Sequence, residues 1–299
     1  MFYFDHNATH PLSTTARETW LDATERYVGN PSSPHRLGAR ADAALTAARE
    51  KLAGWLGCSP RQIVWTSGAT EANNAVLHHV AQTGEGEAWI SAIEHPCVIE
   101  ATRAHFEKRH AFIPATNAGT VCVAWLADAL RSKRPALVGV MAANNETGVL
   151  QPWREALALC REWKVPFFCD AAQWMGKLPA GGLGECDFVS GCAHKFGGPQ
   201  GVGFLKVPPK FHPQIVGGPQ EEGRRAGTEN VAGVLAMIAA LEEQMDNLTG
   251  QAVTEKVGIR MEFEANLCGL LLGVEIIGAS VERLWNTVSA VMPEVPDCR

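Results

Sequence analysis

No apolar run in this 299-residue chain approaches the ~18 residues of a membrane-spanning helix, so no membrane span is expected. The opening MFYFDHNATHPL lacks the basic stretch and apolar core of a secretory signal, and export is not expected either. Basic residues form no run and the net charge is −6, which argues against nucleic acid or an anionic membrane surface as a partner. The nine cysteines are odd in number and contain no CxxC pair, which sets aside a disulfide framework and a zinc site; no metal is expected. Several lie in apolar stretches, as Cys169 does after Phe167 and Phe168, the setting of small buried hydrophobes in a reducing cytoplasm. No internal repeat or low-complexity segment occurs. What is present is an ordinary folded composition, 46% hydrophobic and 19% charged, with material for one large domain or two smaller ones.

Apolar strands and amphipathic helices alternate along the chain. Gln62 to Thr66, Glu87 to Ala92, Ala136 to Ala143, Val165 to Ala171, Asp187 to Cys192 and Gly201 to Val207 read as strands. Pro34 to Leu56 reads as a long helix with apolar positions Leu37, Ala41, Ala44, Leu45, Ala48 and Leu52. Further helices are expected from near Thr70, with Glu71 in the first turn, from Pro96 to Lys108, from Pro152 to Trp163 and from Val231 to Met245. Beyond about residue 250 the pattern predicts a helix, a strand at Val274–Ile277 and another at Asn286–Val291. Continuous apolar strands between helices predict an α/β fold with a mainly parallel sheet covered on both faces. Reactive groups in such sheets gather at the carboxyl ends of strands, where Thr66, Asp170 and Cys192 fall.

The chemistry is concentrated at those ends. Lys195 ends an apolar stretch and enters the glycine turn Gly197-Gly198-Pro199-Gln200-Gly201, where a lysine can form a Schiff base. Asp170, among Phe168, Cys169, Ala171 and Ala172, is a carboxylate in apolar surroundings that needs a cationic partner. A lysine imine and an acidic partner for a pyridinium nitrogen are the two groups that a pyridoxal phosphate (PLP) enzyme needs most; a structural salt bridge is the plainer reading of the aspartate. Ser67-Gly68-Ala69-Thr70 lies between a strand and a helix and reads either as an N-cap or as a phosphate seat of free N–H groups. His95, at a strand end, could lie on a pyridine ring or simply cap a helix. Asn144-Asn145-Glu146-Thr147-Gly148 offers an amide to a phenolic oxygen, or ordinary turn chemistry. Arg224, Arg225 and Thr228 could bind a phosphate or carboxylate, or sit in a solvated loop.

As an ordered set these motifs resemble the cysteine desulfurases of the class V aminotransferase group. The resemblance runs from Asp5-His6-Asn7-Ala8-Thr9-His10-Pro11 and Gly29-Asn30-Pro31-Ser32-Ser33 through TSGATEANN (66–74), Glu94-His95, NNETG (144–148) and DAAQ (170–173). It continues through AHKFGGPQG (193–201) and RRAGTEN (224–230), most of the chain. It implies PLP-dependent transferase fold type I: a mainly parallel seven-stranded sheet flanked by helices, with a C-terminal α+β small domain. The implied division is 1–15 as an N-terminal segment of the small domain or active-site lid, 16–248 as the large PLP-binding domain and 249–299 as a partial C-terminal small domain. Lys195 and His95 would be catalytic, Lys195 carrying the cofactor as an imine and His95 stacking on its ring. Asp170 would pair with the pyridine nitrogen, Gln173 and Asn145 would contact the phenolic oxygen region, and Ala69, Thr70 and His194 would bind the phosphate. Thr228 is of the kind contributed by the partner subunit of a homodimer. Cys192 stands where the family typically has a phosphate-binding serine or threonine, and a thiol is a weaker donor.

The implied reaction converts L-cysteine to L-alanine and passes the sulfur to an enzyme cysteine as a persulfide. That sulfur serves a sulfur-acceptor or scaffold protein in iron–sulfur cluster or thio-cofactor synthesis, in the cytoplasm. In the family the attacking cysteine lies in a serine- and glycine-rich loop of the small domain, together with a substrate-binding arginine. No such loop precedes Arg299, so the expectation is an incomplete small domain. Cys298 lacks that setting, and Cys97 reads first as a buried helix cysteine near His95. Rival readings are another class V enzyme, such as a selenocysteine lyase, aminotransferase or epimerase, and a truncated inactive scaffold.

Overall fold

A computed structural model describes residues 2–292 and shows a central seven-stranded sheet between helical layers. The strands are β1 (Ile63–Thr66), β2 (Ala88–Ser91), β3 (His110–Ile113), β4 (Leu137–Gly139), β5 (Phe167–Asp170), β6 (Phe188–Cys192) and β7 (Gly203–Lys206). Their order is β1-β7-β6-β5-β4-β2-β3. All pairs are parallel except those made by β7, which runs against both β1 and β6. The remaining six strands therefore share one direction, and their carboxyl ends share one edge.

The helices are α1 (Thr14–Arg26), α2 (Arg36–Leu56), α3 (Ala69–Thr83), α4 (Pro96–Phe106), α5 (Val123–Ser132), α6 (Trp153–Trp163), α7 (Val231–Asp246) and α8 (Gly250–Leu270). Successive residues of each strand feed opposite faces of the sheet. Val64, Ile90, Phe168, Phe188 and Leu205 pack with Ala72, Val76, Val98 and Phe106 of α3 and α4. Ile63, Trp65, Trp89, Phe167 and Phe204 pack on the other side with α2, α5, α6 and α7. Both faces are dry, which is why the strands carry no polar alternation. Each fully buried Phe or Leu contributes about 1.5–3 kcal/mol through burial. Helix α2 starts where the His35 Nδ1 accepts from Gly38 N at 3.2 Å, and it stops at Gly57, whose φ of 78° an L side chain rarely adopts.

The expected strands and helices form, with several corrections. The Ala136–Ala143 stretch yields a strand only over Leu137–Gly139; Val140 and Ala142 continue to donate to Phe168 O and Asp170 O while the chain turns toward the cavity. Val274–Ile277 and Asn286–Val291 shorten to the two-residue strands β8 (Glu275–Ile276) and β9 (Ala290–Val291), paired antiparallel in a sheet of their own. Leu37 faces solvent at 48% exposure, because α2 turns its Ala41–Leu45–Leu52 stripe to the core. Helices α1 and α5 and strand β3 were not expected from the pattern. Among the described residues no helix is long and apolar enough to cross a membrane, and no group of three or more His, Cys, Asp or Glu is placed to hold a metal.

Candidate active site

The carboxyl edge of the sheet opens into a cavity of about 560 Å3. The register explains why it gathers there. Thr66 of β1 and Cys192 of β6 both pair with Gly203 of β7, so the turn into α3 and the turn into Lys195 leave the sheet side by side. Gly203 must lack a side chain: a Cβ there would lie 2.7 Å from Gly68 Cα.

One end of the cavity is the N-terminus of α3. Its N-cap is Gly68, which supplies no side-chain cap, so the first N–H groups of the helix face the cavity without the usual partner. Ala69 and Thr70 line this end, and Ala69 N–H lies against the Cys192 sulfur. Burial pushes the Cys192 thiol up to about 12, with Asp170 adding to it, so it is a neutral thiol. Ser190 does not stand in for it: its hydroxyl is fully buried, faces no partner and does not line the cavity. His194 Nδ1 lies 3.3 Å from Thr9 Oγ1, and burial, with Lys195 nearby, lowers it to about 4, leaving a neutral imidazole. The turn itself is braced. Glu71 accepts from Ser67 N at 2.8 Å and pairs with Arg225 Nε at 2.9 Å.

On the cavity floor Asp170 ends β5, only 5% exposed. It accepts from Asn73 Nδ2 at 2.7 Å and Ala172 N at 2.9 Å. Burial raises its carboxyl above the usual range, and no cationic side chain forms an ion pair with it among the described residues; the nearest positive influences are His95 and Lys195. Glu94 lies close by, its Oε1 accepting from Met141 N at 2.6 Å, and burial plus the Asp170 charge push it well above the usual carboxylate range. His95 does two jobs. It caps α4, its Nδ1 accepting from Cys97 N at 3.1 Å, and it lines the cavity. That bond leaves the ring proton on Nε2. The Cys97 thiol also faces the cavity, donated to by Asn73 and raised to about 11 by burial first and Asp170 second.

Above the floor, Lys195 Nζ donates to Asn7 O at 2.5 Å and Ala8 O at 2.9 Å. Gln173 Nε2 donates to the same Asn7 oxygen at 2.9 Å. Asn145 lines the cavity, its amide turned to Glu146 Oε1, while Asn144 Oδ1 takes the turn role by accepting from the N–H groups of Glu146 and Thr147.

The structure thus brings Ala69, Thr70, His95, Asn145, Asp170, Gln173, Cys192, His194 and Lys195 around one cavity. Thr228 is exposed and does not line it. Of the two readings of Arg224 and Arg225, ligand anion or solvated loop, the structure favours neither. Arg224 is spent on Glu221 O and Arg61 O, and Arg225 on Glu71, so both brace loops. Sequence reasoning missed Asn73, which holds Asp170, and Asn7, which covers Lys195, although both lie in quoted motifs. It also missed Lys177, which the sequence marks by no signal of its own. Cys298 lies outside the described residues.

The profile of the family "Aminotransferase class-V" matches residues 2–294. The chain belongs to the class V aminotransferases. A cysteine desulfurase of Klebsiella pneumoniae is 38% identical over 296 residues, covering 96% of this chain and 73% of the relative. A solved NifS-like protein superposes with a TM-score of 0.91 at 33% identity, covering 98% of this chain and 82% of that one. SspA, solved in complex with cysteine, gives 0.85 at 27% identity over 98% and 84% of the two chains. These class V relatives are PLP-dependent enzymes, and the cavity meets that cofactor's needs. An uncapped helix N-terminus suits its phosphate, and the buried, cation-free Asp170 suits its pyridinium nitrogen.

Proposed function

We propose that this class V enzyme is a PLP-dependent cysteine desulfurase that removes sulfur from L-cysteine and leaves L-alanine. The observation that carries the reading is the placement of Lys195 Nζ and the unpaired Asp170 carboxylate in one cavity with a free helix N-terminus. Cysteine desulfurases among the relatives support the substrate.

When bound, PLP supplies an electron sink for the negative charge left as the substrate loses its α proton. Every other role falls to the chain. Ala69 and Thr70 N–H groups, the Thr70 hydroxyl and the neutral His194 would hold the phosphate. Asp170, fixed by Asn73, would keep the ring nitrogen protonated and charged, which a carboxylate in a dry site does strongly. Lys195 Nζ would carry the cofactor and, once displaced by the substrate amine, take the α proton. His95 would lie on the ring and present its Nε2 proton toward the substrate. The thiols of Cys97 and Cys192 are held protonated at neutral pH, so neither is the thiolate that takes the sulfur. The sulfur-accepting thiolate enters from the open side of the cavity.

The same reading takes 1–15 as a lid segment, 16–248 as the cofactor domain and 249–299 as part of a small domain. The separate β8–β9 sheet supports that division. It makes the protein a cytoplasmic homodimer, with the exposed Thr228 offered to the partner's phosphate, and sends the sulfur to a scaffold protein for iron–sulfur cluster or thio-cofactor synthesis. Thr228 lying outside its own chain's cavity supports this arrangement.

Protein purified with added PLP is expected to show a visible chromophore that Lys195→Ala abolishes. With a thiol acceptor it is expected to form alanine from L-cysteine. No chromophore in the wild type would overturn the cofactor reading. A chromophore with alanine formed only from selenocysteine, or with amino-group transfer instead, would favour another class V reaction.

A further inference from the structure

Lys177 is 4% exposed and is the one buried lysine beside the cavity that the proposed chemistry does not use. Its Nζ donates to Gln173 Oε1 and, at 3.3 Å, to Asn7 Oδ1. No carboxylate pairs with it among the described residues; the titratable groups that face it are Lys195 and Cys192. Its backbone carbonyl is tied down as well, accepting from Trp285 Nε1 at 2.9 Å. A buried amine without an anion destabilises the fold, so purely structural packing is a poor account of it.

The hydrogen-bond directions give a better one. A lysine amine offers donors, so both amides that meet it must present their oxygens. With Oε1 held by Lys177, the Gln173 N–H groups point the other way, and they reach the same Asn7 carbonyl that Lys195 Nζ reaches. The Gln173 donors and the Lys195 amine therefore converge on one spot. In PLP the phenolic oxygen is attached next to the carbon that joins the lysine.

We propose that Lys177 is a positioning residue that fixes the Gln173 amide with its N–H donors toward the Lys195 end of the cavity, where they hold the phenolic oxygen of the Lys195-bound cofactor. This rests on the cofactor reading above. Without Lys177 the amide is free to flip and face that oxygen with its own, which repels the charge the oxygen carries when the chromophore loses its proton. Burial first and Lys195 second lower Lys177 to about 7, so the ammonium that excludes the flipped amide is the form present at and below that pH, since only the ammonium lacks an acceptor.

The test is a spectrophotometric pH titration of the Lys195-bound chromophore in the holoenzyme, with PLP affinity measured alongside. Lys177→Met is expected to raise the chromophore pKa by about one unit, the effect of one hydrogen bond to a charged oxygen. PLP binding should weaken by roughly five- to tenfold. In a Gln173→Ala background Lys177→Met is expected to add no further shift, because its effect runs through that amide. Lys177→Gln, which keeps an N–H donor, is expected to return within about 0.3 unit of the wild type. Lys177→Ala serves the same purpose if Lys177→Met does not fold. An unshifted pKa in a folded variant that still holds the chromophore overturns the role of Lys177. So does an equal shift in both backgrounds. Absence of any chromophore in the wild type overturns the cofactor reading itself, and this proposal with it.

Discussion

Asp170 and Lys177 are buried titratable groups on either side of Lys195, and among the described residues neither has an ionic partner. The carboxylate is held by Asn73 and Ala172 N, which orient it toward the cavity without neutralising it. Asp170→Asn keeps the shape and removes the charge that a pyridinium nitrogen requires. Alanine formation from L-cysteine is expected to fall at least about 100-fold, the equivalent of a buried charged hydrogen bond, and retention of activity within a few-fold would discard the assigned role. For Lys177 the native amine titrates near 7 and the unfolded one near 10.5. Between these values the unfolded chain binds more protons, so this group makes folding more favourable as pH rises through the window. Its full penalty is present below about pH 7 and fades toward 10.5. Lys177→Met is therefore expected to raise the melting temperature at pH 6–7, with the gain shrinking toward pH 10. A gain that grows with pH would contradict that assignment of charge.

At the scale of elements, the phosphate seat depends on how closely β7 passes the start of α3. Gly203→Ala would drive a methyl into Gly68 and into Gly191 O, which lies 2.6 Å from the Cβ position. The backbone, not a flexible tip, has to give. PLP affinity is expected to drop about tenfold or more, with a stability loss of roughly 1–3 kcal/mol, both readable by chromophore titration and thermal melting. The elements that build this edge were legible because β1, β5 and β6 are buried on both faces and so read as unbroken apolar runs. Strand β3 escaped notice because it is an edge strand, half-exposed over His110, Ala111 and Phe112. Helix α1 leaves Trp20 and Leu21 exposed, which blurs its stripe. Within the site, the motif residues were legible but their division of labour was not. His95 is both cap and cavity wall, which one-dimensional reading presents as alternatives. Arg224 and Arg225 look like anion binders until the loop geometry gives them Arg61 O, Glu221 O and Glu71. Lys177 sits after Trp174-Met175-Gly176, where a lysine reads as surface; only the folded turn shows its amine pointing inward at Gln173.

Across the whole molecule, the first ten residues and the last described segment meet over Lys195. Asn7 touches Lys195 and Gln173 through its carbonyl, Lys177 and Asn286 through Oδ1, and Asn145 O and Thr287 through Nδ2. The C-terminal segment is anchored in turn by Leu284 N on Gly148 O, and by Arg283, which pairs with both Glu264 oxygens at 2.8 Å. The Arg283 side chain is only 3% exposed, so its charge relies on that carboxylate. Glu264→Ala would leave the guanidinium buried and unpaired, a loss of about 2–4 kcal/mol. Because Arg283 pairs with Val149 beside the Asn144–Gly148 turn, the damage is expected to reach the cavity through Asn7 and Thr287. Limited proteolysis should then cut between residues 250 and 292 faster than in the wild type, and the Lys195-bound chromophore should react faster with an added amine. If proteolysis quickens while the chromophore's reactivity stays at the wild-type rate, α8 and its sheet are a separate unit resting on the site. If both change together, the Asn7 junction couples the closing of the cavity to the folding of that unit.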